Sequence, residues 1–231
     1  MGNLLTDLPR GSPPLIAPSI LSADFAQMGH DCRGVLAAGA DLLHLDVMDG
    51  HFVPNLTMGP DLCRCLRAAL PGVFLDVHLM VTEPGMYVEP FVRAGANHLT
   101  FHVECLSDQG ARSLAAAVRG RGLSVGLALN PPTPIERAAA LAGDFDMLLV
   151  MSVQPGFSGQ AFMEGSLDKA RALRAVLTAQ QRLEMDGGIG TANAARVREA
   201  GCDVIVSASA VFGVAEGRRA AVIAALRGTG V

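Results

Sequence analysis

Short apolar runs alternate along this chain with longer stretches in which apolar residues recur at helical spacing. The apolar runs are largely continuous, which is typical of strands that are covered on both faces of a parallel sheet. Eight runs predict strands, at Leu15–Ile20, Asp41–Val47, Val73–Met80, Asn97–Val103, Leu123–Leu129, Phe145–Met151, Arg182–Asp186 and Asp203–Ser207. Each predicted strand is followed by a segment with helical periodicity.

The predicted helices span Asp24–Ala38, Pro60–Leu70, Pro84–Ala94, Asp108–Arg119, Pro134–Leu141, Met163–Ala179, Thr191–Ala200 and Ala210–Leu226. We expect the last to break near Gly213 or Gly217, because glycine weakens a helix interior. Eight strand–helix units predict an α/β fold, a single (β/α)8 TIM barrel. An open doubly wound sheet is the alternative, and the lack of a Gly-x-Gly-x-x-Gly motif after the first strand argues against it.

A chain of 231 residues is long enough for one such barrel. We therefore predict an N-terminal tail at residues 1–14 and one catalytic domain at residues 15–231. Half of the residues are hydrophobic, which can supply a large core, but no apolar run is long enough to cross a bilayer. A net charge of −4 without a basic cluster argues against a nucleic-acid partner.

The cysteines indicate a reducing environment. There are five, at Cys32, Cys63, Cys65, Cys105 and Cys202, and this odd number has no framework spacing. The first fourteen residues also lack the charged start and apolar run of a signal peptide. We therefore expect reduced thiols and a cytoplasmic location.

Polar side chains on apolar strands are the first candidate site. His44 and Asp46 lie two residues apart, as do Asp76 and His78, so each pair shares one face of its strand. Asp186 ends a third strand. In a barrel, His44, Asp46, His78 and Asp186 would meet at the C-terminal face, where active sites lie. Two imidazoles and two carboxylates suit zinc, iron(II) or manganese, and the simpler alternative is a His–Asp hydrogen bond inside the core.

Small residues after the last three strands are the second candidate site. They are Gly156 and Gly159, Gly187 and Gly188, and Ala208 and Ser209. Glycines permit close backbone approach, and backbone N–H groups can hold an anion without lysine, of which Lys169 is the only one. Barrels often bind phosphate between these loops. The alternative is that the glycines only form tight turns.

Six motifs, in order over about residues 16–226, resemble those of the ribulose-phosphate 3-epimerase family. They are APSIL from Ala17, HLDVMDGHFVPN from His44, DVHLMV from Asp76, TFHVE from Thr100, VQPGFSGQ from Val153 and DGGI from Asp186. The resemblance implies a barrel enzyme that takes a small sugar phosphate and holds one divalent metal ion per subunit. We also expect a homo-oligomer, with no nucleic-acid or membrane partner.

The resemblance also implies roles for individual residues. Asp46 and Asp186 would form the acid–base pair and would bind the metal together with His44 and His78. Two carboxylates suit epimerisation, because one can remove a proton from one face of a carbon while the other returns a proton to the opposite face. The implied substrate-binding residues are Ser19, His78, Gly156, Phe157, Ser158, Gly159, Gly187, Gly188, Ala208 and Ser209.

Three methionines, Met48, Met80 and Met151, would form an apolar lid over the reacting carbon, although filling the core is the default role of a buried methionine. Asp49, Asp76 and His102 are expected to orient the ligands through hydrogen bonds. Ala208 departs from the family, which generally has glycine there. Its Cβ restricts the backbone and crowds the bound phosphate.

The predicted reaction interconverts D-ribulose 5-phosphate and D-xylulose 5-phosphate through an enediolate, a step of the pentose phosphate pathway. The nearest alternative is the same chemistry on a six-carbon ketose phosphate such as D-allulose 6-phosphate. Lyases that need a lysine inside the barrel are disfavoured, because Lys169 lies on a predicted outer helix. A non-catalytic protein that kept the fold is a further alternative, against which the intact set of four polar residues argues.

Overall fold

A computed structural model describes Leu8 and residues 13–229. Eight parallel strands form one sheet, at Leu15–Pro18 (β1), Leu43–Met48 (β2), Leu75–Met80 (β3), His98–His102 (β4), Ser124–Leu129 (β5), Met147–Met151 (β6), Arg182–Asp186 (β7) and Val204–Ser207 (β8). Each strand from β2 to β8 pairs with the next, and β8 pairs with β1. A parallel bridge between Ser19 and His44 then joins the end of β1 to β2. The predicted (β/α)8 TIM barrel is confirmed.

Within the described residues, nine α-helices follow the strands. They are Met28–Ala37 (α1), Pro60–Ala69 (α2), Val88–Ala94 (α3), Asp108–Gly120 (α4), Ile135–Leu141 (α5), Gly165–Val176 (α6), Ala194–Glu199 (α7), Ser209–Phe212 (α8) and Arg219–Arg227 (α9). Short 3-10 turns occur at Ile20–Ser22, Pro84–Tyr87, Val103–Cys105, Ala142–Asp144 and Glu216–Arg218. The expected break in the last helical stretch is confirmed, since α8 ends at Phe212, immediately before Gly213.

Several predicted bounds differ from the structure by a few residues, and in two cases a side chain that makes a local turn explains the difference. Helix α1 begins at Met28 and not at Asp24, whose carboxylate accepts the Ala26 N–H and the Gln27 side-chain amide. Strand β1 stops at Pro18 because Ser19 caps the 3-10 turn that follows, its hydroxyl accepting the Leu21 N–H. Ser19 therefore lies at the mouth of the barrel, at the end of β1.

Side-chain alternation divides the core into two layers. Outward-facing residues such as Leu45, Val77 and Phe101 pack in one large apolar cluster with the buried faces of the helices. The inward-facing residues next to them in sequence are polar on several strands, and they include His44, Asp76, His98, Ser124 and Glu184, all nearly or fully buried. Some of these buried groups hydrogen-bond in pairs, as His44 does with Asp76 and His98 with Ser124.

The N-terminal side of the barrel is closed by apolar residues. Leu8 packs against a cluster that includes Leu15 and Phe74, and its carbonyl accepts a 2.9 Å hydrogen bond from Arg182 Nη2. Of the predicted tail at residues 1–14, residues 1–7 and 9–12 lie outside the described part, so the domain boundary stays a prediction. Within the described part of the chain, no helix is both long enough and apolar enough to cross a membrane.

Candidate active site

Four polar side chains meet inside the barrel. His44 and Asp46 project from β2, His78 from β3 and Asp186 from β7, and one potential ligand atom of each lies within 4.8 Å of the others. Asp46 Oδ1 is 3.3 Å from His44 Nε2 and 3.0 Å from His78 Nδ1. Asp186 Oδ2 is 3.9 Å from His78 Nδ1. The structure thus brings together the four residues proposed as metal ligands from the sequence.

The donor atoms of this cluster fit a divalent metal ion. His44 Nδ1 lies 2.7 Å from Asp76 Oδ2, and a carboxylate only accepts hydrogen bonds, so we assign the proton of His44 to Nδ1. Nε2 is buried and has no hydrogen-bond partner among the described residues, since the 3.3 Å contact with Asp46 lacks hydrogen-bond geometry. A bare imidazole nitrogen among carboxylate oxygens suits a cation, and this mixed nitrogen and oxygen set is typical of zinc, iron(II) or manganese.

The two carboxylates of the cluster titrate differently. Burial opposes ionisation of Asp46, but His44 and His78 outweigh it and hold the pKa of Asp46 well below its usual value. Burial raises the pKa of Asp186 to about 7, and the charges of Asp46 and Asp76 act in the same direction. The surroundings of the two carboxylates therefore displace their pKa values in opposite directions.

A second group of carboxylates lies below the cluster. Glu184, on β7, is fully buried, and its Oε1 lies 3.7 Å from His44 Nδ1. Burial and the neighbouring Asp76 carboxylate raise the pKa of Glu184 well above its usual value. Glu184 was not predicted from the sequence, although it lies two residues before Asp186, the same spacing that identified His44 and Asp46.

Three residues were expected to orient the proposed metal-binding side chains, and two of them do contact those side chains. Asp76 contacts His44, and His102 Nε2 lies 2.8 Å from His78 Nε2. The prediction for Asp49 was wrong. Its carboxylate accepts backbone N–H groups of the loop after β2, at His51 and Phe52, and both the N–H and the hydroxyl of Thr82. Asp49 stabilises the loops at the mouth of the barrel and does not contact the four-residue cluster.

An open cavity lies directly above the cluster, at the C-terminal ends of the strands. Fourteen residues predicted for the site line it, namely Ser19, Asp46, Met48, Met80, Met151, Gly156, Phe157, Ser158, Gly159, Asp186, Gly187, Gly188, Ala208 and Ser209. His44 and His78 do not line the cavity, because they are fully buried beneath it. The predicted phosphate loops and the predicted acid–base residues therefore share one cavity.

Five further lining residues were not predicted: Leu21, Val153, Pro155, Ile189 and Val206. Most are apolar residues at or just after strand ends, where the sequence pattern does not separate a cavity wall from the core. Met48 and Met80, which line the cavity, pack with Val53 and Phe52 in a small apolar group. Met151 belongs to a separate small cluster with Leu149 and Val153.

The loops after β6 and β7 pack closely on each other. Gly188 has a φ of +62°, and a Cβ there would lie 2.6 Å from the Gln160 carbonyl oxygen, so only glycine fits. The buried Ser152 hydroxyl donates to the carbonyls of Asp186 and Gly187, at 2.9 and 2.6 Å. These contacts hold Asp186 at the cavity wall.

Two features complete the cavity rim. The Asn55 side-chain amide donates a 2.7 Å hydrogen bond to the Gly156 carbonyl and thereby ties the loop after β2 to the loop after β6. Ala208 has a φ of −104°, which is not in the left-handed region that favours glycine. Because Ala208 lines the cavity, its Cβ distinguishes this cavity wall from one with the glycine that is general in the family.

Comparison with known proteins agrees with this geometry. A model of the ribulose-phosphate 3 epimerase family matches residues 15–212. The ribulose-phosphate 3-epimerase of Serratia marcescens is 45% identical over 208 residues, which cover 89% of this chain and 98% of that protein. The ribulose-phosphate 3-epimerase, cytoplasmic isoform, of Oryza sativa subsp. japonica is 43% identical over 215 residues, which cover 92% of each chain.

The fold is shared more widely than the sequence. The crystal structure of KGPDC from Streptococcus mutans superposes with a TM-score of 0.70 over 94% of this chain and 96% of that one, at 11% identity. At that identity the likeness concerns the fold alone. The match of the family model to most of the barrel and the identity to its members are decisive: the chain belongs to the ribulose-phosphate 3-epimerase family of isomerases.

Proposed function

We propose that this protein interconverts D-ribulose 5-phosphate and D-xylulose 5-phosphate by moving a proton at C3 through an enediolate. The observation that supports this most directly is the pair Asp46 and Asp186, two carboxyl groups from different strands, β2 and β7, that line one cavity. An epimerase must take a proton from one face of a carbon and deliver a proton to the other. One ionised and one protonated carboxyl group provide both functions.

In the forward direction the ionised Asp46 removes the proton from C3, and the protonated Asp186 delivers one to the opposite face. In the reverse direction the roles exchange, because the product leaves Asp46 protonated and Asp186 ionised. Asp46 accepts a 2.5 Å hydrogen bond from the Ser19 hydroxyl, which holds its Oδ2 in place at the end of β1. Ser19 also lines the cavity, where its hydroxyl can bind the substrate.

His44, Asp46, His78 and Asp186 would hold one divalent ion per subunit, with zinc, iron(II) and manganese as candidates. Such an ion would polarise the ketone and stabilise negative charge on the substrate oxygens, worth several kcal/mol of the barrier. The carboxylates supply the proton transfer, for which they are too weak as bases without that stabilisation.

The remaining cavity residues bind and shield the substrate. The loops after β6, β7 and β8, through Gly156 to Gly159, Gly187 to Gly188 and Ala208 to Ser209, would bind the phosphate by backbone N–H groups. Met48, Met80 and Met151 would exclude water from the enediolate and so limit stray protonation. The six-carbon alternative has no observation in its favour.

The proposal extends to the cellular setting. A cytoplasmic enzyme of the pentose phosphate pathway is consistent with five free cysteines and with the name of the rice relative. The proposed homo-oligomer would have to cover large apolar side chains that are exposed in the single chain, if its interface includes them, such as Leu56 at 76% and Met86 at 73%.

Removal and return of metal test the proposal. Protein dialysed against a strong chelator should lose turnover of D-ribulose 5-phosphate, and addition of zinc, iron(II) or manganese should restore it. D-allulose 6-phosphate in the same assay serves as the six-carbon comparison and should be the poorer substrate. Full activity in protein from which all metal has been removed would contradict the proposed role of the cluster.

A further inference from the structure

A buried chain of hydrogen bonds runs from His78 away from the cavity. His78 Nε2 lies 2.8 Å from His102 Nε2, and the two ring planes differ by 23°. His102 Nδ1 lies 3.1 Å from Glu104 Oε2. Both imidazoles are fully buried, so neither can exchange its partner for bulk water. The groups at the two ends of the chain therefore decide where its protons reside.

Glu104 is fixed at the outer end by groups that donate to it. Its Oε1 accepts a 2.8 Å hydrogen bond from the Asn130 backbone N–H and another from the Thr133 hydroxyl. An ionised carboxylate has no proton to give, so the His102 nitrogen that faces Glu104 must be the protonated one. A neutral His102 with its proton on Nδ1 then has an acceptor at Nε2.

This arrangement dictates the tautomer of His78. Because His102 Nε2 accepts, His78 must donate from its own Nε2, which leaves Nδ1 without a proton. That bare nitrogen faces Asp46 Oδ1 at 3.0 Å and Asp186 Oδ2 at 3.9 Å, inside the proposed metal cluster. At the inner end, however, Asp46 would also accept a proton from His78 Nδ1. The two neutral imidazoles carry two N–H groups for three contacts, so Glu104 and Asp46 compete to accept a hydrogen bond. His78 Nδ1 can bind a metal only when Glu104 is the carboxylate that accepts.

We propose that Glu104 is a positioning residue that acts through His102 to hold His78 in the tautomer whose Nδ1 is free to bind a divalent metal ion. Asp76 does the same for His44 directly, by accepting from its Nδ1. Glu104 is absent from the cavity lining and from the four-residue cluster, so its effect is indirect. The inference rests on the proposed function, because it takes His78 to be a ligand.

The substitution Glu104→Gln tests the direction of the hydrogen bonds that link Glu104, His102 and His78, and it changes the shape of the side chain little. The Asn130 N–H can only donate, so the glutamine oxygen must stay on that side and its NH2 group must face His102. His102 Nδ1–H would then meet another donor. In the favourable alternative both imidazoles change tautomer. His102 then carries its proton on Nε2 and His78 carries its proton on Nδ1, where the metal would bind. If the glutamine amide were rotated by 180°, its NH2 group would instead face the Asn130 N–H, and two donors would again meet.

The measurement is zinc affinity of the full-length protein, by competition with a chromophoric chelator at pH 7.5. We expect Glu104→Gln to bind zinc about 10–100-fold more weakly, the usual effect of losing a hydrogen-bond partner of a ligand. Glu136→Gln, the same change at an exposed position of α5, should bind within about twofold of the wild-type protein. Thr133→Val removes a contact of Glu104 but keeps the carboxylate, and it should change affinity by less than about threefold.

The tautomers themselves are observable by NMR of zinc-loaded, ¹⁵N-histidine-labelled wild-type protein. We expect His102 to carry its proton on Nδ1 and His78 on Nε2. A proton on His102 Nε2 would overturn the inference, and this result does not depend on whether any variant folds. Wild-type zinc affinity in Glu104→Gln would overturn it as well. A wild-type protein that binds no zinc, iron(II) or manganese would instead contradict the proposed function, which separates the two failures.

Discussion

Asp46 and Asp186 show how single residues with the same chemistry acquire different roles. Both carboxylates are buried at the cavity floor, but Asp46 lies between two imidazoles and the Ser19 hydroxyl, whereas Asp186 faces other carboxylates. Favourable partners lower the pKa of Asp46, and burial with like charge raises the pKa of Asp186. The proposed acid and the proposed base thus differ in their surroundings.

Replacing Asp186 tests the two-base scheme at this scale. We expect Asp186→Asn to lower kcat by about 10²–10⁴-fold, the usual contribution of a positioned acid or base. The fold should persist, because asparagine keeps the shape of the side chain and relieves repulsion from Asp46. Turnover and the melting temperature should be measured together, with Asp168→Asn as the control at an exposed position of α6. Turnover near the wild-type rate would contradict the assignment of Asp186.

At the scale of elements, the loop between β5 and α5 is held by the only lysine. Lys169, on α6, donates from Nζ to the carbonyls of Asn130, Pro131 and Thr133, the last two at 2.6 and 2.5 Å. Its position on an outer helix confirms that it is not available inside the barrel. The same loop provides the Asn130 and Thr133 groups that fix Glu104, so α6 stabilises the site from a distance.

We expect Lys169→Met to destabilise the protein by about 1–3 kcal/mol, because three carbonyl groups lose one shared donor. For a chain of this size the melting temperature should fall by several degrees. Arg171→Met, on the exposed face of the same helix, is the matched control and should change it little. Equal melting temperatures for the two variants would show that the loop does not depend on Lys169.

The sequence predicted the elements that depend on interactions between residues close together in the chain, and it missed those that depend on distant residues or on local side-chain turns. The eight strands and the i, i+2 pairs on β2 and β3 were predictable, because alternation along a strand is a local property. The start of α1 was missed, since Asp24 forms a local turn. Glu104 has partners 26 and 29 residues away in the chain, and such contacts leave no local pattern.

At the scale of the whole molecule, the polar barrel interior couples stability to pH. Burial tends to raise the pKa of Glu104, but hydrogen bonds from His102, the Thr133 hydroxyl and the Asn130 N–H lower it to about 2, from an ordinary value of 4.5. A carboxylate with a lowered pKa stabilises the folded state fully above its ordinary pKa. That stabilisation is lost as the pH falls through the lowered value.

The difference in unfolding free energy between wild-type protein and Glu104→Gln should therefore be constant from pH 7 to about 5. It should shrink as the pH falls from 4.5 towards about 2. Urea denaturation at a series of pH values measures this, and Glu136→Gln corrects for removal of a charge as such. A difference that grows on acidification would mean that the carboxylate is not stabilised in the folded state.

The barrel as a whole does not determine the reaction. KGPDC shares the fold at a TM-score of 0.70 with only 11% identity, so the assignment to a reaction rests on the residues at the mouth of the barrel. In this chain those residues are two carboxylates and three small-residue loops around one cavity, with two imidazoles buried beneath it. Proton transfer at one carbon of a sugar phosphate is the chemistry that this combination supports.

The most direct test of that claim is proton NMR of D-ribulose 5-phosphate in D₂O with catalytic amounts of metal-loaded enzyme. We expect D-xylulose 5-phosphate to appear and deuterium to enter at C3 alone, because Asp46 and Asp186 exchange their protons with solvent. Deuterium at C3 without epimerisation would mean that only one of the two carboxylates reaches the carbon. If neither D-xylulose 5-phosphate nor deuterium at C3 appeared, this result would contradict the proposed function itself.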